Sequence, residues 1–397
     1  MTSTLGAMRW LVLSVVLVAC GGESAAPDPS PPVAPAPPPP PVVAARAISS
    51  RASFDLVALP EGAALAWGAT PDDGGGVRAI ALDPIGGVRG HEVVVSDVAF
   101  VGGGDDPGSV EELVVAAAGL RVAVAWVART GPIVHAHATI ASAGVDAFAP
   151  VRDLGATVAG AYDRSTRGRL AAWGRDDGST AIVVRAPPGP CQASAGECAR
   201  FALAAIGDGE GSGGRDTIVN EVREPCDPLV VGGLARGSAF FYGACHVTEQ
   251  GAPTTTLYAI DRGGGGALAS APDVVEGCAP IGIAPGASGA IAIARCEDGV
   301  AAQEVGPRGD LLGTARAAEP RVVCASGRPT IELGAMRVQL VEAVSRIEGL
   351  LPASVAPEGS RAVWTGDAIL VAAPSGREVA LRRYQCDVDS ITRTDVR

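Results

Sequence analysis

Residues 226–245 read CDPLVVGGLARGSAFFYGAC, and residues 278–296 read CAPIGIAPGASGAIAIARC. Each opens Cys-x-Pro, runs apolar, turns through glycine, runs apolar again and closes on cysteine. Two apolar runs of strand length around a glycine turn specify an antiparallel hairpin. The sequence therefore uses one hairpin twice, with its two cysteines expected to face each other across the paired strands.

The second run of this hairpin has counterparts along the chain: ALAWGATPDDGGG, AVAWVARTG, LAAWGRDDG, AFFYGACH, AIAIARCEDG and AVWTGD. Each is a small-apolar stretch, an anchor and a polar glycine turn; the anchors are Trp67, Trp126, Trp173, Tyr242, Ala294 and Trp364. Most are flanked by further β-like runs, such as FDLVALP before the first and VRAIALD and HEVVVS after it. About four strands per unit, recurring roughly every 45–70 residues, is the pattern of a β-propeller blade. Inner strands crowded around an axis favour alanine and glycine, and each anchor is expected to fill the wider space between blades.

The fold expected is therefore all-β, a propeller of four-stranded blades. Residues 319–350 offer RVVCA, TIELGA and RVQLVEA as a further unit, so seven blades are expected, with six as the alternative. Within that region VQLVEAVSRIEGLL also has helix-compatible spacing. Tandem β-sandwiches are the competing architecture, because the period is irregular.

There are nine cysteines. Setting Cys20 aside leaves Cys191, Cys198, Cys226, Cys245, Cys278, Cys296, Cys324 and Cys386, an even set that in an exported chain reads as four disulfides. The hairpins pair Cys226 with Cys245 and Cys278 with Cys296; Cys191 and Cys198 staple one loop; Cys324 and Cys386 remain to tie the C-terminal region. No C-x2-C occurs, which argues against thiolate zinc.

Composition excludes several functions. The 43 acidic residues outweigh the basic ones to a formal net charge of −12, so a nucleic-acid partner is not expected. Every basic side chain apart from histidine is arginine, which removes Schiff-base and P-loop lysine chemistry.

The N-terminus supplies an address. Trp10 to Ala19 is apolar except for Ser14 and follows Arg9. That run is too short to span a bilayer and suits the apolar core of an export signal. Its end, Leu17-Val18-Ala19-Cys20, resembles the lipobox of bacterial lipoproteins. The resemblance implies cleavage before Cys20, acylation of that residue and attachment to a lipid bilayer. Residues 27–41 then hold ten prolines in fifteen positions, an extended spacer of roughly 45 Å at ~3.1 Å per residue. The expected organisation is a signal peptide over residues 1–19, a lipidated N-terminus and proline-rich linker over 20–43, and the propeller over 44–397.

Motifs for chemistry are sparse. His135 and His137 stand two apart in PIVHAHATI, so on a strand they share a face, where both imidazoles suit one metal; no third ligand is apparent, and the plainer reading is two polar residues on a solvent-facing strand. Asp208, Glu210 and Ser212 in GDGEGSGGRD resemble a calcium loop, although Val219 stands where an EF-hand needs its bidentate glutamate. The same stretch matches G-x-G-x-x-G through Gly209, Gly211 and Gly214, but strand-like TIVNEV follows instead of a helix. The acid pairs Asp72–Asp73 and Asp176–Asp177 lie in glycine turns, where aspartate is favoured for backbone reasons. His91 and His246 read as ordinary turn or strand-end residues. No G-x-S-x-G elbow is present.

With no catalytic set, the sequence reads as an outer-membrane-anchored envelope lipoprotein. Its propeller face is expected to bind an envelope protein or a glycan, with no catalysis and no cofactor beyond the calcium that the 208–212 loop suggests. The alternative is an exported hydrolase or lyase acting on a glycan or ester.

Overall fold

The computed structural model describes residues 42–394 apart from 103–107, 158–167, 175–177, 192–196, 208–214, 217–220, 223–224, 237–238, 248–252, 262–266, 275–277, 340–350 and a few isolated positions. Between 208 and 277 the description covers the backbone alone. Cys20 and the 208–212 loop therefore lie outside the described residues. The chain divides into two compact units, residues 1–38 and 39–397, and the described part belongs to the second.

The described residues form antiparallel sheets, with one 3-10 turn at Pro71–Asp73. None of their helices is long and apolar enough to cross a membrane. Six sheets have four or five strands and are the blades of a propeller. Blade 1 spans residues 54–96, blade 2 109–156, blade 3 170–222, blade 4 225–274 and blade 5 279–317. Blade 6 spans 361–394 and is completed by the N-terminal strand Val42–Ala45, which pairs with Glu378–Asp387 through Val42 opposite Leu381. That strand starts inside the stretch expected to be linker.

From blade 6 round to blade 5, the first strand of one blade packs on the first strand of the next. Arg361–Trp364 lies on Phe54–Leu59, that on Ser109–Ala118, then Leu170–Gly174, Pro225–Arg236 and Ala279–Pro285. These strands face the common axis, and contact on both faces erases polar alternation: Phe54–Leu59 and Gly62–Gly68 are buried at every position. The outermost strand of blade 1, Val88–Ser96, is by contrast mostly exposed and carries the polar residues.

The preference for small residues has a steric cause. A Cβ on Gly174 of blade 3 would lie 1.8 Å from the Ala117 carbonyl oxygen of blade 2, and one on Gly68 of blade 1 would lie 2.3 Å from Val110 Cβ. Trp67 fills the space between blades 6 and 1, and Trp126 that between blades 1 and 2. Trp126 is fully buried and donates Nε1–H to the Ala99 carbonyl at 2.6 Å. By the measure of large-to-small core substitutions such a residue contributes about 3–5 kcal/mol.

Two expectations need correction. Trp173 and Trp364 sit on the first strands of their blades, not the second, so the aligned repeats merge two different strands. The six-blade alternative, rather than seven, is the count supported. Residues 321–339 do form the strands Arg321–Ala325, Arg328–Leu333 and Met336–Gln339, but this three-stranded sheet runs opposite to a blade. Its last strand meets the inner strand of blade 5, and its first meets Glu378–Asp387 and Ser390–Thr394 of blade 6. It is a wedge between blades 5 and 6, sharing one core with both through Ile331, Leu333 and Val338. Most of the stretch with helix-compatible spacing lies outside the described residues.

Three expected disulfides are formed: Cys191–Cys198, Cys278–Cys296 and Cys324–Cys386, the last joining wedge to blade 6. The Cys226 and Cys245 side chains are outside the description; the backbone register sets Pro225 opposite His246, next to both.

Candidate functional site

Charged residues stand at the starts of several first strands: Asp55 in blade 1, Glu111 and Glu112 in blade 2, Arg169 just ahead of blade 3, and Arg361 in blade 6. All are buried, and each reaches into a neighbouring blade. Asp55 Oδ2 accepts the Val115 N–H at 2.7 Å, while its other oxygen lies 3.4 Å from Arg361 Nε. Glu112 Oε1 accepts the backbone N–H groups of Gly168, Arg169 and Leu170 at 3.0–3.2 Å, and its Oε2 accepts Arg169 Nε at 3.1 Å. Arg169 also donates to Glu111 at 2.5 Å, and Glu111 accepts a second bond from Arg129.

Strict strand alternation would turn two consecutive glutamates to opposite faces. The register slips between Val110 and Glu112, a β-bulge that leaves Glu111 without a cross-strand partner and allows both acids to engage Arg169. Burial pushes the Glu111 carboxyl up, but the hydrogen bonds and charges of Arg129 and Arg169 more than reverse this, leaving it below its ordinary value. Glu111 is thus held toward its anionic form, and all three carboxylates are fixed in place between blades. The signal was present in the sequence as a charged residue directly before an apolar run, in FDLV, EELV, RLAAW and RAVW.

The two histidines form a second cluster, on the third strand of blade 2, Ile133–Ala141. Its outer neighbour Arg152–Ala156 places Asp153 opposite His137. His135 Nδ1 lies 3.0 Å from Asp153 Oδ2, and His137 Nδ1 lies 3.9 Å from Oδ1. Phe100 packs over both rings, and Trp126 stacks tilted against His137. The solvent-face expectation is corrected: His135 is partly exposed, but His137 is fully buried, and neither of its ring nitrogens has a hydrogen-bond partner among the described residues. Burial lowers its pKa to about 4, helped by His135 and opposed by Asp153. Asp153 joins the histidines from the neighbouring strand, yet no group of three His, Cys, Asp or Glu among the described residues is arranged to hold a metal.

Asp153 also borders a crevice of about 280 Å³ between the outer strand of blade 2 and Ala204–Ile206 of blade 3. Among the other residues singled out, Asp72 and Asp73 form the exposed 3-10 turn and His91 lies on the exposed outer strand of blade 1. Asp176, Asp177, Asp208, Glu210 and Ser212 are outside the description, as is the His246 side chain.

No family model matches the chain, and no curated protein matches it. Among solved structures it is similar to a Trypanosoma rangeli sialidase in complex with the inhibitor DANA (9% identity, TM-score 0.39, 77% of this chain and 57% of that one). It is also similar to a polysaccharide lyase, Uly1 (10%, 0.38, 87% and 78%), and to a prolyl endopeptidase (12%, 0.42, 88% and 51%). The chain thus spans little more than half the length of the sialidase. With TM-scores below 0.5, these likenesses decide nothing about its activity.

Proposed function

We propose that the chain is an envelope lipoprotein, acylated at Cys20, whose propeller is a rigid binding or scaffold module for an envelope protein or glycan. The observation that carries this reading is the use made of the inner carboxylates. A carboxylate pair working as acid and base needs one group held protonated near neutral pH and room for substrate between the two. Glu111 and Glu112 instead accept hydrogen bonds from arginine and backbone donors, Asp55 accepts the Val115 N–H of the next blade, and Glu111 is held further toward its anionic form. Such contacts lock the blades together, which suits a surface that recognises by shape. The lipobox resemblance and the proline-rich spacer support attachment to a membrane at a distance, with the outer membrane as the site.

Palmitate labelling of wild type against Cys20→Ser tests the anchor: loss of label in the variant is expected, and equal labelling refutes it. Crosslinked capture from native envelopes, with and without calcium, tests the module. A reproducible partner supports it. Turnover in a polysaccharide and ester screen, abolished by substituting a described carboxylate, overturns it in favour of a hydrolase or lyase.

A further inference from the structure

The segment after the N-terminal strand crosses from blade 6 to blade 1 and seals the ring. Ile48 donates its N–H to the Arg377 carbonyl at 2.9 Å, and Ser49 donates to that of Gly68 at 2.9 Å. At this seam lies a crevice of about 370 Å³, near the lower end of the ~300–1,000 Å³ range of small-ligand pockets. Its floor includes Trp67, and its polar lining is Arg46, Asp73, Arg78 and Glu92.

The seat is built by the backbone. Ala47, with φ +54°, is the one non-glycine residue in the left-handed region among those described. This conformation directs the Ala47 carbonyl to the Thr70 N–H at 2.8 Å, and Thr70 Oγ1 in turn donates to Asp73 Oδ2 at 2.9 Å. Asp73 is thereby oriented with its other oxygen available. Arg78 has a loose contact with Glu92 at 3.8 Å, and Arg46 is exposed with no ion pair among the described residues.

We propose that this seam binds a uronic acid unit of an acidic glycan, an inference that rests on the binding-module reading and names its ligand class. Two guanidinium groups from different segments offer the forked donors that a carboxylate accepts. Asp73 and Glu92 offer only acceptors, which suit sugar hydroxyls. Two arginines against two acids leave the lining neutral in sum, favouring a singly charged ligand rich in hydroxyls over a doubly charged phosphate monoester, and the planar carboxylate matches a guanidinium fork. The volume fits one or two sugar rings.

The test is calorimetric titration of the full mature chain with glucuronate and oligogalacturonate, against glucose, repeated on Arg46→Gln and Arg78→Gln. Saturable binding of the uronates, little response to glucose and a loss of roughly tenfold or more in each variant are expected. Arg46 is exposed, so that variant keeps the fold. Absence of saturable binding, equal binding of glucose, or unchanged affinity in both variants overturns the proposal. Capture of an envelope protein by a chain that ignores uronates would leave the module reading standing without the seam. Cleavage of the oligomer with binding intact would do the reverse.

Discussion

Glu112→Ala is the substitution whose consequence follows most directly from the geometry. The carboxylate is fully buried and accepts three consecutive backbone N–H groups of blade 3 as well as Arg169 Nε. Its removal takes the acceptor from those donors at a site closed to water, and takes from Arg169 one of its carboxylate partners. Breaking a buried ion pair by deleting one member costs about 3–5 kcal/mol, and unsatisfied buried donors cost about 1–3 kcal/mol each where the structure does not relax. These ranges overlap in origin and do not add, so a loss of about 3–5 kcal/mol is expected. That is a large part of the 5–15 kcal/mol typical of a folded domain. Urea unfolding at pH 7 with the disulfides intact, followed by tryptophan fluorescence, reads the loss as a lower midpoint. Glu112→Gln retains an oxygen for the backbone donors but sets an amide against Arg169, so its loss is smaller, at about 2 kcal/mol. Combining Glu112→Ala with Arg169→Ala is expected to cost less than the sum of the two, because the second removes the charge that the first orphaned. A Glu112→Ala stability within about 0.5 kcal/mol of wild type, as for an ordinary surface change, would refute the inter-blade role.

Two further outcomes are expected. His137 is neutral in the native protein down to about pH 4 but takes a proton near its ordinary 6.5 once unfolded. Acid therefore favours the unfolded chain: this contribution is intact above pH 6.5 and is lost as pH falls from 6.5 to 4, by about 3 kcal/mol in all. His137→Phe flattens that part of the stability–pH curve, and a slope identical to wild type would show that burial does not govern this residue. Replacing Cys324 and Cys386 together by serine releases a closure of 62 residues between wedge and blade 6, at a cost of about 4 kcal/mol on the chain-entropy model. Thermal unfolding of the double variant checks it, and an unchanged Tm would mean that the wedge core alone holds the joint.

What the sequence revealed and what it hid divide along physical lines. The hairpin at 278–296, its disulfide and the inter-blade places of Trp67 and Trp126 depend on local runs and turns, and local pattern displayed them. Trp173 and Trp364 were set in the wrong strand because first and second strands are both small and apolar, so pattern cannot rank them. The wedge reads as a blade in sequence because its three runs look like any others; only non-local packing against blades 5 and 6 reveals its reversed order. The inter-blade charges escaped for the same reason, since Glu112 and Arg169 lie 57 residues apart. Asp153 likewise joins the histidines through a strand pairing and not through proximity along the chain.

The pairing of Val42–Ala45 with Glu378–Asp387 also bears on biosynthesis. A chain is synthesised N-terminus first, so the strand beginning at Val42 must wait for its partner until every blade has been made. Joining ends so distant in sequence makes a slow final step. A product truncated before residue 378 lacks the partner of that strand, and its ring stays open with bare edges. Closure of the ring therefore waits on the last sheet to be made.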